Sequence, residues 1–284
     1  MPANNQNLGL LSNVKHYNFS LCLLTFLDWG NVIRLVDYIE SEKLSFDNLF
    51  IFADKIPLEV GILTALQAYQ QKSQLNKNKS VKIINRNEHG GRIGTKDYIH
   101  YISLPLEAGL VVLEDDLFAT KEFFDQCEHF FAHRSSAATP IFVGYSNTPQ
   151  SDNPYYETFN SMHLWGFAIE NHRLQGAIRF HDKVRKYGSA EKMAIVKEVL
   201  NHSYPCLMFE KHKHQLIEKI LPNFLAESEE SVDLYFLFHF LRNHQKIVKP
   251  TKSFVRPARE IQFVPDCPDV VESDMLAAIQ NFRP

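Results

Sequence analysis

Leu110-Val111-Val112-Leu113 runs straight into Glu114-Asp115-Asp116. Four branched apolar residues in a row read as a strand buried on both faces, as in a parallel sheet. In open α/β sheets, ligands bind just beyond the carboxyl ends of the strands. Three consecutive carboxylates there repel one another unless something positive sits among them. A divalent cation carrying a phosphorylated ligand meets that need, because hard cations take oxygen ligands and bridge phosphates. The plain alternative is a solvated acidic loop, and the buried strand in front weighs against it.

Two further positions have the chemistry to join such a site. Asp54 closes the apolar run Leu49-Phe50-Ile51-Phe52-Ala53, so it belongs near the same ligand edge. Pro57 and Leu58 follow it, so an acid at the start of a helix is the competing reading. Arg92 follows Gly90-Gly91, which permit close backbone approach. A guanidinium there can clamp a phosphate through two hydrogen bonds, although a surface turn with an exposed arginine also fits.

The elements that must position these residues follow from periodicity. Phe19 to Phe26 reads as a first buried strand, and Val32, Leu35, Val36 and Ile39 mark a helix after it. Leu49 to Ala53 is a second strand, Leu58 to Gln70 a helix, and Val81 to Ile84 a third strand. A glycine-containing turn and a helix lead to the strand that ends in the acids. Strand and helix in alternation predict a parallel sheet with right-handed crossovers. Lys121 to His133 is an amphipathic helix, and Pro140 to Gly144 a strand. Ser146 to Tyr156 reads as a loop, with an apolar, aromatic stretch from His163 to Ile169. Helical patterns follow at Ala190 to Leu200, His212 to Ile220 and Val232 to Arg242. Residues up to about Asn18 read as a flexible lead-in.

The chain of 284 residues can bury a sizeable core and shows no internal repeat or linker, so one elaborated domain over 1–284 is expected. A net charge of -3 argues against a generally basic nucleic-acid binder. Cys22, Cys127, Cys206 and Cys267 are scattered and read as reduced thiols. No apolar run reaches the length of a membrane span, and the polar first residues lack a signal-peptide layout. A cytoplasmic location is the expectation, with peripheral contact at the inner membrane face. Lys211-His212-Lys213-His214 reads first as a solvated face, with contact to anionic lipid or an acceptor phosphate as the alternative.

The order of these pieces resembles a nucleotide-sugar glycosyltransferase of the GT-A type, closest to bacterial family 2-like enzymes. Three places carry the likeness: Glu114-Asp115-Asp116, as the EDD variant of the DxD motif; the segment Asn87-Glu88-His89-Gly90-Gly91-Arg92-Ile93-Gly94 upstream; and Met162 to Ala168 with its Trp165-Gly166 pair. The resemblance implies an α/β fold with a GT-A-like mixed, mostly parallel sheet flanked by helices. It implies a nucleotide-sugar-binding part at 19–118, an acceptor-binding and catalytic part at 119–256, and a tail at 257–284.

The roles it implies are these. Asp116 would be the direct ligand of Mn2+ or Mg2+. Asp115 would hold the donor ribose or a metal-bound water, and Glu114 would orient the loop. Thr25, Phe26 and Asp54 would line the base pocket, with Arg92 on the phosphates. Trp165 and Gly166 would form an acceptor platform with His163 beside it, though an aromatic in an apolar stretch is often core. An inverting transfer needs a base for the acceptor hydroxyl. Asp233 is the first choice and Glu230 the second, although acids in a first helical turn also suit the helix dipole. The expected reaction moves a sugar from a nucleotide-sugar donor to a glycan or lipid-linked acceptor, in bacterial surface polysaccharide synthesis. A nucleotidyltransferase acting on sugar phosphates and a non-catalytic glycan-binding protein are the rivals.

Overall fold

A computed structural model describes residues 14–25, 29–54, 64, 67–68, 70–71, 80–86, 104–145, 155–158, 166–202 and 232–257. At its centre is an eight-stranded sheet in the order β5-β4-β2-β6-β10-β8-β11-β9. The strands are β2 (Ser20–Thr25), β4 (Asn48–Asp54), β5 (Ser80–Arg86), β6 (Gly109–Glu114), β8 (Ile141–Val143), β9 (Tyr155–Thr158), β10 (Phe167–Glu170) and β11 (Ile247–Pro250). β5, β4, β2 and β6 are mutually parallel. β10 runs antiparallel between β6 and β8, β11 is parallel to β8, and β9 closes the edge antiparallel to β11. Six of the eight strands therefore point the same way. This is the α/β class expected, a mixed and mostly parallel sheet flanked by helices.

Both faces are covered, which is why the central strands read as continuous apolar runs. Leu21, Leu23, Leu49, Ile51, Val111 and Leu113 belong to one core. Cys22, Leu24, Phe50, Phe52, Leu110 and Val112 belong to the other. Helices α1 (Trp29–Ser41) and α2 (Lys121–His133) cover the first face with Val32, Leu35, Val36, Ile39, Phe123, Phe124, Cys127 and Phe130. Helices α3 (Asn171–Val184), α4 (Ser189–His202) and α5 (Val232–Arg242) cover the second. Burying one Leu, Val or Phe side chain contributes roughly 1.5–3 kcal/mol, so the two cores dominate stability. Cys22 and Cys127 are free and buried, and burial pushes both thiols up in pKa.

The expected lead-in up to Asn18 is corrected in part. Lys15–Tyr17 forms β1, parallel to β3 (Leu44–Phe46). Tyr17 is fully buried against Phe46 and Phe124, and its hydroxyl donates to Asp125 at 2.8 Å. Lys15 adds an ion pair to Glu128 at 2.7 Å. Tyr155 and Tyr156, expected in a loop, open edge strand β9. The pattern at His212 to Ile220 lies outside the described residues. No described helix is long and apolar enough to cross a membrane.

A third, two-stranded sheet bears directly on the acids. β7 (Leu117–Ala119) follows them and pairs antiparallel with β12 (Val255–Pro257).

Candidate active site

β6 ends at Glu114, and Asp115 and Asp116 form the turn into β7. Glu114 and Asp116 are exposed and Asp115 is half-buried. Strand register shows what shares this edge. Leu24 pairs with Glu114, Thr25 with Ala53, and Asp54 with Arg86. Thr25, Asp54 and the acid turn therefore stand side by side at the carboxyl ends of adjacent parallel strands, where a ligand is expected in this architecture. Thr25 lies on the face covered by α1, two residues beyond Leu23. Its hydroxyl oxygen is buried and has no hydrogen-bond partner among the described residues.

The turn is held from α1. The Asn31 side-chain amide donates to the Asp115 carbonyl at 2.7 Å and to the Leu117 carbonyl at 2.9 Å. Asn31 is only 3% exposed. It stands four residues before Leu35, on the apolar stripe of the helix. A polar residue on that stripe is the signal a sequence reading can catch, but its partners lie far along the chain. Seven residues on, the Tyr38 hydroxyl accepts the Lys121 backbone N–H at 2.8 Å, and its ring meets Phe118 edge-on. Arg34 lies over Phe118, 5.9 Å from the ring centre. The arch from Glu114 to Lys121 is thus fixed by one helix.

Gly166 closes the other side. Phe167 pairs with Val112, so Gly166 lies abreast of Leu113. Its φ of +57° suits glycine, and a Cβ there would meet Val255 Cγ2 at 2.7 Å and Leu113 Cδ2 at 3.1 Å. The Gly166 carbonyl accepts from Gly144 N–H at 2.7 Å, and the Gly144 carbonyl accepts from Phe254 N–H at 2.9 Å. A Cβ on Gly144 would strike the Phe123 ring at 2.4 Å. Two glycines let three segments converge beside the acid strand and seat β12 on β7.

Asp233 lies in the first turn of α5. His181, in the last turn of α3, packs edge-on against Tyr235 at 4.4 Å, and Phe180 lies near His239 at 5.4 Å. The two helices are therefore antiparallel. α3 follows β10 and returns along the sheet, so α5 begins at the end of the sheet that bears the acid turn, on the opposite face from α1. Phe26, Arg92, His163, Trp165 and Glu230 lie outside the described residues. His239, in the last turn of α5, lies away from this edge, between Phe180 and Phe240, and burial, with Arg179 and Arg242 nearby, holds its pKa down to about 4.

Among the described residues, no three His, Cys, Asp or Glu side chains are grouped to hold an ion by themselves. The acid turn offers oxygen donors only. That suits Mg2+ or Mn2+ held by one or two carboxylates, with phosphate oxygens and water completing the shell.

No protein-family model matches the chain, and no curated protein matches it. Solved structures resemble it loosely. One is the mannosyltransferase PcManGT from Pyrobaculum calidifontis in complex with GDP-Man and Mn2+, at 9% identity over 95% of this chain and 82% of that one, with a TM-score of 0.39. A second is 4-diphosphocytidyl-2C-methyl-D-erythritolsynthase from Anaerococcus prevotii DSM 20548, at 10% identity, 93% and 95% coverage and a TM-score of 0.37. A third is HddC from Yersinia pseudotuberculosis, at 12% identity over 55% of this chain and 79% of that one, with a TM-score of 0.32. Likeness at this level assigns neither a family nor an activity.

Proposed function

We propose that the chain is a metal-dependent glycosyltransferase that moves a sugar from a nucleotide-sugar donor to a glycan or lipid-linked glycan. The observation that carries this reading is the acid turn Glu114-Asp115-Asp116 at the carboxyl edge of the parallel strands, with the buried Thr25 hydroxyl and the Asp54 strand end beside it. Asp116, exposed at the turn, would hold a divalent cation, Asp115 would hold the donor ribose or a metal-bound water, and Glu114 would orient the turn. A bound divalent ion would offset the negative charge that grows on the diphosphate as the sugar leaves. Thr25, Phe26 and Asp54 bind the base, Arg92 the phosphates, and His163, Trp165 and Gly166 the acceptor.

Asp233, at the start of α5, takes the proton from the attacking acceptor hydroxyl, with Glu230 the second candidate. The transfer is then a direct displacement with inversion. The setting is bacterial surface polysaccharide synthesis, at the inner face of the membrane.

The test is thermal stability against a panel of nucleoside diphosphates with and without Mn2+. A ligand at a hundred times its Kd stabilises by about 2.7 kcal/mol. The expected result is a Mn2+-dependent rise in Tm with one nucleotide, absent in Asp116→Ala, with the Tm of that variant without ligand showing that it folds. A parent chain indifferent to every nucleotide would sink the proposal.

A further inference from the structure

We infer that Asn31 is a positioning residue for the cation site, an inference that rests on the reading of the acid turn just given. Its two hydrogen bonds end on the carbonyls of Asp115 and Leu117, so they straddle Asp116. The peptide before Asp116 and the one after Leu117 are both pinned, so the short span that carries the Asp116 backbone is held at its two ends before a cation binds. Neighbours that orient a ligating carboxylate commonly govern metal affinity without touching the metal.

The donor chemistry is specific. A side-chain amide carries two N–H donors on one nitrogen, and here both meet carbonyl oxygens. An aspartate in its place would turn a carboxylate oxygen toward those carbonyls and repel them. Aliphatic replacement leaves both carbonyls unanswered in a buried setting. The helix that carries Asn31 starts four residues after Thr25, so the same element links the base side of the site to the cation side.

The experiment uses the full chain and three variants, Asn31→Ala, Asn31→Asp and Tyr38→Phe. Mn2+ affinity is read by electron paramagnetic resonance with and without the nucleoside diphosphate that the parent binds. Exchange of the 114–119 backbone amides is followed by mass spectrometry, independently of any turnover. Asn31→Ala should weaken Mn2+ binding about 10-fold, within the range of roughly 10–100-fold for lost supporting contacts, and speed exchange in the turn but not in β2 or β4. Asn31→Asp should show a comparable loss, because its carboxylate faces the two carbonyls that the amide answers. Tyr38→Phe removes a structural tie to the same arch and should leave Mn2+ affinity at the parent value.

Mn2+ affinity within twofold of the parent in a folded Asn31→Ala or Asn31→Asp overturns the inference. So does an equal loss in Tyr38→Phe, since any loosening of the arch would then suffice. If the parent itself binds neither Mn2+ nor nucleotide, the glycosyltransferase reading falls and the inference with it. That outcome is recognised from the parent alone.

Discussion

Replacing Thr25 by valine separates what this residue does for the fold from what it does for a ligand. The two side chains have nearly the same shape, and the difference is one hydroxyl. In the free chain that oxygen is buried with no partner among the described residues, at 2% residue exposure. An unsatisfied buried polar group costs roughly 1–3 kcal/mol. Its removal should therefore stabilise the free chain by about 1 kcal/mol or more, which raises Tm by about 2 °C in a protein of this size. The opposite holds for the ligand. A neutral hydrogen bond contributes roughly 0.5–1.5 kcal/mol, so Thr25→Val should bind the nucleoside diphosphate about 2- to 12-fold more weakly. Thr25→Ser should do the reverse, keeping affinity while losing about 1 kcal/mol with the buried methyl. Calorimetric unfolding and titration of the same preparations give both numbers. A valine variant that melts lower than the parent would mean the hydroxyl is satisfied in the folded chain. A valine variant that melts higher but binds equally well would remove Thr25 from the ligand pocket.

Two other perturbations probe features described above. Gly166→Ala places a side chain at a φ of +57° and within 2.7 Å of Val255. Roughly 1–2 kcal/mol of backbone cost and about 1–3 kcal/mol of overpacking should appear together as a lower urea midpoint. His239 titrates at about 4 in the folded chain against 6.5 when unfolded, so between those values the unfolded state binds more protons. Stability should then fall as the pH drops below 6.5 and level off near 4. After discounting for partial exposure the loss is on the order of 1 kcal/mol, and it should be smaller in His239→Gln when denaturation is followed across that window.

The parallel half was legible because burial on both faces leaves a strand almost no polar residues. Leu21 to Leu24, Leu49 to Phe52 and Leu110 to Leu113 declare themselves, and α1 and α2 keep an apolar stripe. α3 went unread for a physical reason. Its buried positions Leu174, Ala177, Ile178, His181 and Val184 have helical spacing, but a histidine occupies one of them and Gly176 interrupts the run. That glycine sits where a Cβ would lie 3.4 Å from His239. β1, β3 and β12 span only three residues each, too few for a period to register. At the candidate site, carboxylates at a strand end can be seen in a sequence. The amide that holds them cannot, because Asn31 and Leu117 are 86 positions apart.

The pairing of β12 with β7 has a bearing on how the molecule comes into being. Nascent chain leaving the ribosome carries β2, β4, β5 and β6 long before Val255 is made, and those strands need only one another to pair. The acid arch has only part of that independence: α1 holds it early, but Leu117 to Ala119 wait for Val255–Pro257 to complete their pairing. Its contact order is high, and contacts of that kind form late. The four parallel strands can thus pair early in translation, while the turn that bears the carboxylates gains its β12 support only once Val255–Pro257 has been made.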